Sequence, residues 1–162
     1  MTGSIIIRRG LPDDWRASKE LRLRALAGSP GAFSSTLERE LEYDDDVWRT
    51  RLERAATFFA VDPEGALVGT VTGVGDPHER DGREVVAMWV EPEWRGQGVG
   101  GALLDAVVEW ARAEGAASIA LWVADGNDDA RRLYERRGFV DTGQRDVIRD
   151  GLGEGRLRLA LQ

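Results

Sequence analysis

Seven residues, Arg95-Gly96-Gln97-Gly98-Val99-Gly100-Gly101, are the part of this chain best suited to chemistry on a phosphate. They lie between an apolar run, VVAMWV, and a helical pattern, ALLDAVVEWARAEG. A glycine-rich turn that leaves a strand and opens a helix aims several backbone amides in one direction, at the positive end of the helix dipole. Glycine suits such a loop because a Cβ would hold a ligand away from the backbone. The spacing reads in two ways. Gly96, Gly98 and Gly101 spell G-x-G-x-x-G, the fingerprint of dinucleotide-binding turns. Arg95, Gly98 and Gly100 spell R-x-x-G-x-G, in which the arginine can add charge-assisted hydrogen bonds to phosphate oxygens. A Walker A loop is excluded, because no Lys-Ser or Lys-Thr follows the glycines. A structural turn with no ligand is the third reading.

Few residues offer acid–base chemistry. Glu84 shares one face of a strand with Val86 and Met88. A carboxylate on a central strand is unusual unless it is paired or functional, although at a frayed strand start it would simply be solvated. Glu91 and Glu93 read as solvent-facing loop acids. His78, the only histidine, lies in a Pro- and Asp-rich loop and reads as solvated. One histidine without cysteine leaves no recognisable metal-ligand spacing, so no metal is expected. Glu38, Glu40 and Glu42 with Asp44, Asp45 and Asp46 could line the path of a cationic substrate, but such a run is more often a solvated face.

The elements that position these residues fit in one domain, residues 1–162. At 42% hydrophobic and 31% charged residues the chain is expected to fold rather than stay disordered. A net charge of -7 argues against non-specific nucleic-acid binding and mildly favours cationic small partners. The start, MTGSIIIRRGLPDDW, is too short in apolar residues for a signal segment, and no membrane-spanning run follows. Cytoplasmic location is the default expectation.

Residues 5–7 read as a first strand, and Pro12-Asp13-Asp14 as the start of a helix to about Ala27. Residues 36–55 read as a second helical region, broken near Asp44 to Asp46. Strands follow at 57–61, 66–74 and 84–90, the first two joined by the turn Asp62-Pro63-Glu64-Gly65. Val99, Leu103, Leu104, Val107, Val108 and Ala111 make a 3.6-period stripe on the next helix. A strand at 118–123, a short helix ending at Gly138, and closing strands at 139–147 and 156–161 complete the order β-α-α-β-β-β-α-β-α-β-β. The three-strand meander demands antiparallel pairing, so a purely parallel doubly wound sheet is excluded. It also counts against the dinucleotide reading, as do the five residues between strand and first glycine.

VVAMWVEPEWRGQGVGGALLDAVVEWARAEG, followed by LWVADGNDDARRLYERRGFVDTG, resembles the GNAT superfamily of acyl-CoA-dependent N-acetyltransferases. The first segment is similar to its acyl-CoA-binding motif. The second carries Asn127, Ala130, Leu133, Tyr134, Gly138 and Phe139 at the family's positions, and GSPGAFSSTLERE is of a type seen in bacterial members. The resemblance implies a mixed α/β sheet splayed after its fourth strand. It implies acetyl-CoA as cosubstrate, its pyrophosphate on Arg95, Gly96, Gln97, Gly98, Val99 and Gly100, and its pantetheine along the backbone of Trp89 and Val90. Asn127 would cap the last helix or hold the pantetheine arm.

The implied reaction moves an acetyl group to a primary amine by direct attack through a tetrahedral intermediate. Tyr134 stands where the family has the tyrosine that protonates the thiolate. Glu84 stands on the strand where some branches place a catalytic glutamate. The acceptor would be a small-molecule or peptide amine, with neither nucleic acid nor membrane as partner, and family members often pair as homodimers. A non-catalytic acyl-CoA-binding module on the same fold is the alternative of a different class.

Overall fold

The computed structural model describes residues 4–161. Its elements run β1 (Ile6–Arg9), α1 (Trp15–Gly28), α2 (Leu37–Leu41), α3 (Asp45–Arg54), β2 (Ala56–Val61), β3 (Leu67–Gly75) and β4 (Gly82–Val90). Then come α4 (Val99–Ala113), β5 (Ser118–Ala124), α5 (Asp128–Arg136), β6 (Val140–Arg149) and β7 (Leu152–Ala160). The strands follow the order β1-β2-β3-β4-β5-β7-β6. β4 pairs parallel with β5, while β1–β2, β5–β7 and β6–β7 are antiparallel. The mixed α/β sheet is therefore the one the element order implied. The chain divides into two compact units, residues 1–72 with 87–107 and residues 73–86 with 108–162.

The first unit is built around an apolar stripe of α1. Leu21, Ala25 and Leu26 pack with Phe33, Leu52, Phe59, Leu67 and Trp89. The helical region expected at 36–55 is two helices. Thr36 caps α2, its Oγ1 accepting from the Arg39 amide at 3.2 Å. Asp44 occupies the N-cap position of α3, but its side chain makes no cap bond.

The break brings Glu40 of α2 against neighbours from α1 and α3. Arg22 grips the Glu40 carboxylate with two bonds, at 3.1 and 3.0 Å, and Arg51 adds a third at 3.0 Å. Glu40 is fully buried, which corrects the expectation of a solvated acidic face at this position. Burial alone would raise its carboxyl; the two guanidinium groups more than reverse that and hold it at about 2. Its stabilising contribution is therefore complete above the ordinary carboxylate range and is lost as pH falls toward that value. Glu40→Ala leaves the partly buried Arg22 and the more exposed Arg51 without their carboxylate, and we expect a loss of about 2 kcal/mol in urea unfolding at neutral pH. A loss under about 1 kcal/mol would show that the triad is solvated.

In the second unit, strand alternation sorts the sheet into two faces. Ile119, Leu121 and Val123 of β5 lie opposite Leu159, Leu157 and Gly155 of β7. The other face carries Ser118, Ala120 and Trp122 opposite Ala160, Arg158 and Arg156. The closing hairpin is longer than the sequence reading: β7 begins at Leu152. Asp150 and Gly151 have φ of 52° and 78°, and two successive positive values make the tight turn that joins hairpin strands. Gly153 stays in the strand because a Cβ there would lie 2.6 Å from Asp125 Oδ2 and 2.7 Å from Arg145 Nη2. The Asp125–Arg145 ion pair fills that space. Part of the stretch between the two expected strands is thus itself strand, with a salt bridge lying over its backbone.

Candidate active site

The glycine loop lies in the first unit. After β4 a 3₁₀ turn, Pro92–Trp94, occupies part of the five-residue gap. Gly96 and Gly98 then adopt φ of 76° and 85°. A Cβ on either would meet no protein atom within 4 Å. Within the protein the requirement for glycine is thus conformational rather than one of crowding. The Ala102 amide donates to the Gly98 carbonyl at 3.0 Å, which makes Gly98 the N-cap of α4. The amides of Val99, Gly100 and Gly101 precede the first helical hydrogen bond and have no acceptor within the helix.

Two side chains brace this loop from within. Arg95 Nε donates to the Val90 carbonyl at 2.8 Å, and its guanidinium lies 5.7 Å from the centre of the Trp89 ring. Gln97 Nε2 donates to the Glu93 carbonyl at 2.9 Å. Arg95, expected as a direct phosphate partner, is thereby tied to the strand that precedes it. Trp89 is buried, its indole donating to Ser29 Oγ at 3.3 Å. Glu91 departs from its reading as a solvated acid. Its carboxylate accepts from Arg24 at 2.6 Å and its amide donates to the Val68 carbonyl at 2.8 Å.

β4 changes course between Glu84 and Trp89. Its register with β5 runs over Gly82–Ser118, Arg83–Ile119 and Glu84–Ala120, whereas the strand continues to Val90. Ala87 has a φ of 55°, a left-handed conformation that costs a non-glycine residue about 1 kcal/mol or more. This kink lies beyond Glu84, the last residue of β4 in register with β5. Alanine is a poor sequence signal for such a conformation.

In the second unit Glu84 is the third residue of β4, half-buried and in register with Ala120; it is not at a frayed end. Burial raises its carboxyl above the ordinary range, and the Asp76 charge adds to that. The Trp122 indole, His78 and Arg156 pull the other way. Glu154 is also raised, by burial and by the charges of Asp146 and Glu84. The remaining acids of this face are paired. Asp76 bonds Arg156, a buried pair, and Glu79 holds Arg158 at 2.7 and 3.0 Å. Trp122 and this ion-pair network were absent from the sequence reading; the alternation of Glu154, Arg156 and Arg158 on one side of β7 was the available signal.

Asn127 and Tyr134 sit at either end of α5. The Asn127 side-chain oxygen accepts from the Ala130 amide at 3.4 Å, so the capping role is realised. Tyr134 is buried, with its ring 6.2 Å from that of Phe139. Burial pushes its hydroxyl up to about 12. Arg95 to Gly100, Trp89 and Val90 thus belong to the first unit, and Glu84, Asn127 and Tyr134 to the second. Among the described residues no group of three or more His, Asp or Glu side chains is placed to hold a metal ion. No helix among them is long and apolar enough to cross a membrane.

Residues 22–139 match the family model described as the acetyltransferase (GNAT) family. The chain is 33% identical over 132 residues to "Probable N-acetyltransferase family 8 member 5" of Mus musculus, covering 79% of this chain and 57% of that protein. It is 41% identical over 86 residues to a mycothiol acetyltransferase of Propionibacterium freudenreichii, covering 52% of this chain and 28% of the relative. It thus spans well under two thirds of the length of these curated relatives. Among solved structures, the Salmonella typhimurium protein yncA with its cofactor acetyl-CoA superposes with a TM-score of 0.81 at 21% identity, over 99% of this chain and 95% of that one.

Proposed function

The chain belongs to the acetyltransferase (GNAT) family, and from that premise we propose that it transfers the acetyl group of acetyl-CoA to a primary amine of a small molecule or peptide. The observation that carries this reading is the loop. Two glycines in left-handed conformations lead into a 15-residue helix whose first amides lack helical partners, an arrangement suited to a pyrophosphate. The amides of Gly96, Gln97, Gly98, Val99 and Gly100 hold that group. Arg95 supports it mainly by fixing the loop to Val90. The backbone of Trp89 and Val90 receives the pantetheine, with Asn127 supporting the arm from its cap position.

The amine nitrogen attacks the thioester carbonyl carbon, forming a C–N bond and a tetrahedral oxyanion that a backbone amide near Val90 stabilises. Collapse breaks the C–S bond and releases the thiolate of CoA. Glu84 takes the proton lost by the amine, and the Tyr134 hydroxyl serves the departing sulfur. No covalent enzyme intermediate is needed, since holding both substrates in line supplies much of the rate.

The test is release of free CoA thiol from acetyl-CoA against a panel of primary amines, with binding followed by thermal shift. Stabilisation by CoA together with amine-dependent thiol release supports the proposal. Stabilisation without turnover across the panel points to a non-catalytic acyl-CoA-binding module. Stabilisation by NAD and not by CoA returns the loop to its dinucleotide reading.

Glu84→Gln separates the base from the fold. A carboxylate with a raised proton affinity is costly to keep ionised in the folded state. We therefore expect the variant to melt at a higher temperature at neutral pH while turnover falls at least tenfold, within the usual worth of a general base. In the native protein turnover should fall as pH drops through the raised range of Glu84, and the variant should lose that limb. Equal turnover in both proteins removes Glu84 from the role.

A further inference from the structure

The connection between β3 and β4 reads in sequence as a solvated polar loop, yet it is stapled to the polar face of the sheet on both sides of its histidine. On one side, the Asp76 amide donates to the Gly82 carbonyl at 3.1 Å, and its carboxylate pairs with Arg156 and accepts from the His78 amide at 2.8 Å. On the other, Glu79 chelates Arg158 and accepts the Ser118 hydroxyl at 2.9 Å. A Cβ on Gly82 would lie 3.0 Å from Ser118 Oγ and 3.3 Å from Asp76 Cβ. The loop therefore lies over the face to which Gly82 and, two residues on, Glu84 both point.

What the staples deliver is His78. Its imidazole is exposed to water and lies 5.8 Å from the Trp122 ring, tilted by 59°. Trp122 stands two residues beyond Ala120, the register partner of Glu84, so its side chain and Glu84 share a face of the sheet. We propose that His78 is a positioning residue for Glu84: its ring braces the indole that shares a face with the carboxylate, and its cationic form steadies the carboxylate's charge. The catalytic meaning of this arrangement rests on Glu84 being the base.

Arg156 also favours the ionised carboxylate, but the arginines of this face are held in ion pairs. Asp76 is matched by Arg156, and Glu79 by Arg158, which lies level with Ala120 and hence with Glu84. Glu154 adds further negative charge. Histidine is the side-chain type whose charge changes closest to neutrality.

The test follows Glu84 by carbon-13 NMR of glutamate carboxyl groups, its signal assigned by its loss in Glu84→Gln. His78→Phe retains an aromatic ring against Trp122 and removes the cation. The Glu84 midpoint should move to higher pH while the melting temperature stays near that of the native protein. His78→Ala should move the midpoint in the same direction and also displace the Trp122 indole N–H resonance. A Glu84 midpoint in His78→Phe that coincides with the native one overturns the proposal, as does an indole resonance indifferent to His78→Ala. Turnover with an accepted amine is read in parallel. An acid limb that moves with the midpoint supports both the positioning role and the base. A midpoint that moves while the limb stays supports the His78–Glu84 coupling and removes Glu84 as the base.

Discussion

Gly98→Glu is expected to abolish acetyl-CoA binding while leaving a folded protein. Gly98 sits at φ 85° immediately before α4. An L-residue there costs about 1 kcal/mol in backbone strain, a small part of the roughly 5–15 kcal/mol that holds a domain folded. The new side chain has room, since a Cβ at this position meets nothing within 4 Å. The damage is therefore to binding rather than to packing. A carboxylate placed at the helix N-terminus is itself attracted by the amides of Val99 and Gly100. It occupies them in advance and repels the pyrophosphate they are proposed to hold. We expect CoA affinity to fall at least about a hundredfold, the equivalent of roughly 2.7 kcal/mol. Gly98→Ala carries the strain without the charge, and its loss should be clearly smaller. Calorimetric titration with CoA measures both, with circular dichroism as the check on folding. An unchanged affinity in Gly98→Glu would remove the loop from the cofactor site.

The glycine loop is legible in the sequence in a way that its surroundings are not. Backbone punctuation was legible: Asp62-Pro63-Glu64-Gly65 and the stripe from Val99 to Ala111 report on their own immediate geometry, and the element order followed from them. The second helical region broke where Asp44 suggested, although the Asp44 side chain makes no cap bond. Long-range charge pairing was not legible. Glu40 finds Arg22 and Arg51 at sequence separations of 18 and 11, and Asp76 finds Arg156 at 80. An acidic run with one member turned inward looks like an acidic run with none, because the partner is chosen by the fold. The contact of the exposed His78 with Trp122 is hidden for the same reason. Its loop has the composition of a solvated turn, and only the ion pairs on either side hold it against Trp122. The kink at Ala87 is hidden more deeply, since the residue gives no hint of the conformation that tertiary structure imposes on it. The glycine loop, the Asn127 cap and Tyr134 stand out in the sequence because each belongs to a local motif. The environment that sets the proton affinity of Glu84 is assembled from three separate stretches of chain.

Tyr134→Phe should lower turnover roughly ten- to a hundredfold with little change in CoA affinity. The size follows from the chemistry the hydroxyl can perform. Burial holds it protonated up to about 12, whereas an ordinary thiol loses its proton at about 8.5. Complete transfer from tyrosine to thiolate would be uphill by roughly 5 kcal/mol at about 1.4 kcal/mol per pH unit. The contribution we propose for it is then a hydrogen bond to the sulfur as charge develops there. A hydrogen bond to a charged group is worth about 1.5–3 kcal/mol, which sets the expected loss in rate. The same burial fixes the pH behaviour. Because the folded value lies above the unfolded one, stability from the neutral phenol is complete below about 10 and is lost as pH rises toward about 12. The native protein should therefore lose stability in that alkaline interval, and the phenylalanine variant should lose less. Over the same scale, ionisation of Tyr134 should produce no alkaline fall in turnover below about pH 11. Steady-state rates and thermal melts of the two proteins from pH 6 to about pH 11 test both expectations. Native turnover in Tyr134→Phe across that range would remove the hydroxyl from the reaction and leave the residue as part of the packing against Phe139.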